Sequence, residues 1–239
     1  MSRRIIGADL GLNHFAIVTL SEETLKPAEV YYATTVKKHL VAKPPLEHDG
    51  ADWGSFLLPK KAKGELAESL NARRRSKLYE LFDHILPGGQ MKGPYSGDVY
   101  INIEHYSYGS QSASIYEMGE MGGLFRHICY ERGFYIRQTA PMSLKLFVGA
   151  GNYGKPEMIE AAMSIHGGYG IIKPGHLPID CTEWGDIIDA WWLAVMLKTE
   201  LDVRAGKPLT ELAENVVRTF NRVTKKFPVN LLARDFLGK

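Results

Sequence analysis

The sequence predicts a mixed α/β domain with an antiparallel start, and three observations carry that expectation. Two short apolar runs, 4–10 and 14–20, flank Gly11-Leu12-Asn13, the pattern of a β-hairpin closed by a tight turn. Residues 64–86 place Leu66, Leu70, Leu78, Leu81, Phe82 and Ile85 at helical spacing, and Pro87-Gly88-Gly89 ends that helix. Strand-like stretches at 98–104 and 134–138 then alternate with helical ones at 112–132 and 141–147, as β-α-β units do.

The remaining elements follow in order. Residues 28–36 form a third strand, and 37–63 are polar, basic and proline-containing with Trp53 and Phe56 interspersed. That segment is expected to be a long loop or an inserted arm. A glycine-rich loop, 149–154, leads into a helix near Lys155-Pro156, where proline suits the first turn. After the Gly/Pro-rich stretch 167–180, Asp180 and Glu183 have the spacing of a capping box for the next helix. A last helix spans 209–224. Residues 1–239 are expected to form one domain, with 37–63 inserted and 205–239 as a C-terminal extension.

Bulk properties exclude several classes. The chain has 239 residues, 45% hydrophobic and 23% charged, with a net charge of +2, as in an ordinary globular protein. Its basic residues cluster at Lys60, Lys61, Lys63, Arg73, Arg74, Arg75 and Lys77. Such a cluster fits a phosphate backbone, and a solvated helix face is the plainer alternative. Cys129 and Cys181 have no zinc-type spacing. The N-terminus lacks a signal-peptide apolar region. The longest apolar window, 187–197, is too short to span a membrane.

Chemistry concentrates in four acids. Asp186 and Asp189 stand three apart at the start of an almost wholly apolar helix, so they share a face. Two anions facing one spot repel unless one is protonated or a cation lies between them. Placement near the helix start lets the positive end of the dipole offset that repulsion. Asp9 closes the apolar run Ile5-Ile6-Gly7-Ala8, and Glu104 closes Val99-Tyr100-Ile101-Asn102-Ile103. Taken singly, Asp9 is also an ordinary turn former and Glu104 an ordinary strand end. Together, four carboxylates from two strands and one helix suit two Mg²⁺ ions, with Mn²⁺ able to substitute. Two such ions clamp the attacking and leaving oxygens of a phosphodiester.

These segments carry a family resemblance. Ile-Ile-Gly-Ala-Asp-Leu-Gly (5–11) resembles the first-strand motif of the RuvC-like Holliday junction resolvases, of the RNase H-like superfamily. Val-Tyr-Ile-Asn-Ile-Glu-His-Tyr (99–106) resembles that family's strand ending in a catalytic glutamate. Gly-Asp-Ile-Ile-Asp-Ala (185–190) resembles its C-terminal helix motif, and Ser143–Lys155 is similar to its lysine, Gly-x-Gly and second lysine. Order and spacing agree over 4–20 and 98–197.

The resemblance implies an RNase H-like fold, a mixed central sheet with antiparallel first strands flanked by helices. It implies Asp9, Glu104, Asp186 and Asp189 as metal ligands, Lys155 as a catalytic lysine and Lys145 as its companion on DNA. The implied activity is Mg²⁺-dependent cleavage of branched DNA, four-way junctions above all, by a cytoplasmic homodimer. That protein would be nucleoid-associated, or would work in host cytoplasm if phage-encoded. Tyr106 and Tyr108 are candidates for an aromatic wedge, although Ser107 falls where the family places it. Arg73, Arg74 and Arg75 are further candidates for DNA contact.

Other features weigh less. The 149–154 loop superficially resembles a dinucleotide fingerprint but follows no clear strand. His105 should face away from Glu104. Trp191 and Trp192 belong to the core or to a subunit contact. Met118, Met121, Leu124, Phe125 and Ile128 form a helix face; the resemblance implies that this helix packs in a homodimer, an interface for the glycines nearby. Two alternatives share the opening pattern. An actin-like or sugar-kinase-like nucleotide binder needs a second Asp-x-Gly phosphate loop, and none is found. A non-catalytic nucleic-acid binder on the same fold would be expected to lack one or more of the acids.

Overall fold

A computed structural model of the chain describes residues 3–11, 13–21, 23–35, 52–88, 97–105, 114–165 and 182–238. One six-stranded sheet organises them. Its strands are β1 (Arg3–Leu10), β2 (His14–Leu20), β3 (Pro27–Thr34), β4 (Asp52–Leu57), β5 (Asp98–Glu104) and β6 (Tyr135–Thr139), in the order β4-β3-β2-β1-β5-β6. Strand β2 runs antiparallel to both β1 and β3, whereas β1, β5 and β6 are mutually parallel and β4 is parallel to β3. That order and those directions make the mixed central sheet with antiparallel first strands, flanked by helices, that the sequence predicts.

Helices cover both faces, because alternate residues of each strand point to opposite sides. Ile6, Ala8 and Leu10 of β1 pack with α1 (Ala67–Ile85) and α2 (Ser114–Glu131) through Leu78, Phe82, Met121 and Phe125. On the opposite face, Ile5 joins Ala16, Val18 and Val30 against α5 (Thr182–Arg204). Helices α3 (Pro141–Val148), α4 (Lys155–Ser164) and α6 (Glu214–Phe220) complete that layer.

Helix α5 is apolar all round because it is enclosed. Ile187, Ile188, Ala190, Leu193, Ala194 and Leu197 are buried. Gly7 sets how closely α5 approaches β1. A Cβ there would sit inside the backbone carbonyl of Ala190 and against the Ala194 amide. No larger residue fits without moving the helix.

Several expectations change. The 37–63 segment is not wholly loop, since Asp52–Leu57 forms β4 at the sheet edge. Its few apolar residues conceal a strand whose hydrogen bonds come from β3. The expected helix over 209–224 is broken. A 3₁₀ turn occupies Leu209–Glu211, Leu212 and Ala213 are extended, and α6 begins at Glu214. Of the two readings of Trp191 and Trp192, the structure shows the core one. Both are buried, and their indole N–H groups donate to the Leu25 and Met158 carbonyls at 3.1 Å. The proposed Asp180 cap lies outside the described residues, as does Cys181. Among the described residues no helix is long and apolar enough to cross a membrane.

Candidate active site

Strand parity delivers the four acids to one place. Asp9 shares the α5-facing side of β1 with Ile5 and Gly7, and Glu104 shares the corresponding side of β5 with Asn102. The parallel register runs Arg3↔Asp98 to Ala8↔Ile103. One further step sets Asp9 beside Glu104, at the ends of adjacent strands. Helix α5 crosses that face, with Asp186 and Asp189 one turn apart. Asp186 is buried at 3% exposure, whereas Asp9, Glu104 and Asp189 keep partial access to solvent.

The electrostatics are those of crowded carboxylates. Burial pushes the Asp9 pKa well above the usual range, and the charges of Glu104, Asp186 and Asp189 push it further. A hydrogen bond between Asp9 and Glu104 raises the first and lowers the second. Glu104 is nevertheless raised, by burial first, with Lys145 and Lys155 opposing. Burial and then Glu104 carry Asp189 up to about 7. Asp186 and Asp189 are the fifth and eighth residues of α5. Since the dipole effect fades within the first turn, the helix start offsets little of this repulsion.

Lysine supplies the nearest positive charge. Lys155, first residue of α4, places Nζ 2.5 Å from Asp186 Oδ1. Burial works against its ammonium, but Asp186, Asp189 and Asp9 outweigh this and the net pKa is raised. The side chain lies across Gly185, where a Cβ would collide with its Cδ. Lys145 on α3 acts on Glu104 and Asp189 through its charge.

The other oxygen of Asp186 is the most informative atom. Oδ2 is buried and has no hydrogen-bond partner. His14 Nδ1 stands 2.5 Å away, close enough for an ion pair but without the alignment of a ring N–H donor. A buried carboxylate oxygen without a donor is costly. Hard oxygen donors in this number suit Mg²⁺ or Mn²⁺, so the donor set fits a divalent ion. As they stand, no group of three or more His, Cys, Asp or Glu among the described residues is gathered to hold a metal. The Lys155 ammonium on Asp186 instead relieves part of the repulsion.

Two residues in this neighbourhood escaped the sequence reading. His14 lies on the α5-facing side of β2 with Ala16 and Val18, so its parity was the available signal. Asn102 is fully buried; its amide donates to the Leu193 carbonyl of α5 at 3.0 Å, and its Oδ1 accepts from Thr139 Oγ1 at 2.8 Å. It ties the strand that ends in Glu104 to the helix that carries the aspartates. An asparagine two residues before Glu104 was the signal there. The His105 amide donates to the Thr139 carbonyl, and its ring nitrogen lies 3.3 Å from Lys226 Nζ.

Other predicted residues lie apart or are already engaged. Arg73 grips Glu65 with two hydrogen bonds of 2.9 and 2.8 Å, and Arg75 meets Glu120 at 2.7 Å. Arg74 donates to the Pro59 carbonyl and to Asn13, at the turn before His14. Tyr106 and Tyr108 lie outside the described residues. The 149–154 loop packs the Tyr153 ring over Gly149 and caps α4 through Glu157, whose carboxylate accepts from the Gly154 amide at 2.8 Å. Cys129 is buried, and desolvation pushes its thiol far up, which makes it inert.

No protein-family model matches the sequence, and no curated protein matches it. Solved structures similar to the chain include two of Thermus thermophilus RuvC. One covers 85% of this chain and 96% of its own at 18% identity, with a TM-score of 0.44. The other, RuvC in complex with a Holliday junction substrate, covers 86% and 97% at 16% identity, with a TM-score of 0.49.

Proposed function

We propose that this chain is a metal-dependent endonuclease that hydrolyses phosphodiesters in branched DNA, four-way junctions above all. The observation that supports this most is the meeting of Asp9, Glu104, Asp186 and Asp189 at one end of the sheet, with Lys155 already on Asp186. Four acids without enough cations, three with raised pKa values, form a site that is incomplete without added positive charge.

The four carboxylates would hold Mg²⁺ or Mn²⁺. Such ions, when bound, polarise the phosphate and acidify a water for attack. The chain's own residues do the rest. Asp9 and Glu104 would act there as anions, which added positive charge favours by opposing their raised pKa values. Lys155 leaves Asp186 and turns its ammonium to the phosphate, where it meets charge that grows in the transition state. Partial burial keeps bulk water away and strengthens each of these interactions.

The choice of branched DNA rests on the ordered motifs at 5–11, 99–106, 143–155 and 185–190. Lys145, Arg73, Arg74 and Arg75 are proposed to contact the phosphate backbone, and Tyr106 and Tyr108 to meet bases near the cut. The arginines would have to exchange their present partners for phosphates. A homodimer would match the two-fold symmetry of a junction. Gly119 and Gly123 on α2 face open space, which leaves that face accessible to a second copy.

The test uses labelled four-way, flap and linear DNA with Mg²⁺. Nicking of branched DNA that disappears in Asp186→Asn is the expected result. Tight binding without cleavage in either Mg²⁺ or Mn²⁺ overturns the proposal. A strictly monomeric mass in solution overturns the dimer.

A further inference from the structure

Resting on the metal-centre reading above, we infer that His14 is a fifth protein ligand of that centre. It shares one cation with Asp186 Oδ2 and tilts the centre from Mg²⁺ toward Mn²⁺ and other ions that accept imidazole nitrogen.

Three features argue for this role. The first is the contact itself. Nδ1 and Oδ2 are 2.5 Å apart, yet Oδ2 receives no hydrogen bond. With His14 neutral, two lone-pair atoms this close and with no hydrogen bond between them repel unless a cation lies against both. The two atoms are therefore near enough for one cation to meet both.

The second is placement. His14 opens β2 and pairs with Thr34, while its carbonyl accepts from the Gly11 amide at 3.0 Å and the Asn13 carbonyl accepts from the Thr35 amide at 2.8 Å. The hairpin thus presents the ring from a fixed backbone. The third is access. The His14 side chain is 35% exposed whereas that of Asp186 is 5% exposed, so the imidazole lies between solvent and the buried carboxylate.

Ligand chemistry then sets the preference. Mg²⁺ demands oxygen and sheds water reluctantly, whereas imidazole suits transition ions. A purely mechanical role for His14, bracing Asp186 by a hydrogen bond, predicts something different. Asparagine can present an amide nitrogen near the Nδ1 position and keep such a brace, but it is a poor substitute for imidazole at a metal.

The experiment is Mn²⁺ titration by electron paramagnetic resonance, with pulsed measurement of ¹⁴N coupling, on the full chain and on His14→Asn and His14→Gln. The expected result is an imidazole nitrogen coupling in the parent protein that both variants lose. Mn²⁺ affinity should fall by roughly tenfold or more, while Mg²⁺ affinity, measured by competition, falls less. Bound Mn²⁺ without nitrogen coupling overturns the inference, as does coupling that persists in either variant. Failure of the folded parent protein to bind Mn²⁺ is a separate outcome, because it removes the metal-dependent reading itself.

Discussion

Lys155 Nζ stands 2.5 Å from Asp186 Oδ1, and Gly185 leaves the space through which the lysine reaches it. The first residue of α4 thereby neutralises the most deeply buried of the four clustered acids. The same ammonium also competes with any cation that approaches Asp186.

Removing it should therefore separate stability, metal affinity and rate. Lys155→Met leaves Asp186 with less compensation, and the folded protein without metal should lose about 1–2 kcal/mol, a modest figure because the lysine side chain is partly exposed. Mn²⁺ should bind more tightly, because no ammonium has to be displaced. DNA cleavage should fall by roughly 100-fold if the lysine meets transition-state charge. Urea melts, metal titration and single-turnover cleavage measure the three effects. Weaker metal binding in the variant would contradict the competition.

Much of this arrangement was legible in the sequence, and the parts that were not share a cause. Asp9 and Glu104 announced themselves because an acid interrupts an apolar strand, and strand parity fixes the face. Asp186 and Asp189 stood out against an apolar helix. Strand β4 did not, because Asp52, Gly54 and Ser55 break the pattern and its parallel partner lies across an intervening segment. His14 and Asn102 have clear parity, but their partners, Asp186 Oδ2 and the Leu193 carbonyl, belong to an element 91 or more residues away. The arginines 73–75 look free in one dimension because Glu120, the partner of Arg75, is 45 residues distant. Local pattern reveals which side chain is unusual, and only tertiary packing reveals what it meets.

Gly7 tests the architecture apart from the chemistry. Its absent Cβ lets the Ala190 and Ala194 backbone lie directly on β1. Gly7→Ala forces α5 away from the sheet and should cost about 3 kcal/mol or more, at the upper end of overpacking effects. Because α5 carries two of the four acids, metal binding should fall as well. Gly185→Ala meets only the flexible Lys155 side chain, so it should disturb Lys155 with little loss of stability. Denaturation and Mn²⁺ titration of the two variants side by side distinguish the helix–strand contact from the lysine channel.

The raised acids give stability a definite pH dependence. Asp189 is carried from 3.8 to about 7, and Asp9 and Glu104 shift in the same direction. Between about pH 4 and pH 7 the folded chain therefore holds more protons than the unfolded chain. Without metal, its stability should fall as pH rises through that window. Asp189→Asn removes one contributor. It should stabilise the metal-free protein at pH 8 by on the order of 2 kcal/mol, about half of what the full shift implies, because the carboxyl keeps some contact with water. At pH 4 the gain should vanish. Urea unfolding in a chelator across this range reads the slope, and stability that rises with pH in the parent protein would contradict it.

The C-terminal segment offers a test far from the acids. Glu200 is buried at 1% exposure and is gripped by Arg137 and Arg204. Arg137 also donates to the carbonyls of Arg234 and Asp235 and stacks 4.4 Å over Phe236. Beside it, Ile136 and Leu237 exchange backbone hydrogen bonds, which covers the open edge of β6. An exposed strand edge is a template for unwanted pairing. Arg137→Leu leaves Glu200 with half of its compensation and removes the donors that hold the segment down. The expected cost is about 3–5 kcal/mol, together with faster proteolysis after residue 222 and association that grows with protein concentration. Arg137→Lys keeps the charge but not the fork that reaches two carbonyls and a carboxylate together, so it should fall between the two. Equal protease resistance in all three proteins would show that the segment is held by its apolar contacts at Leu231 and Phe236 and not by the buried ion pair.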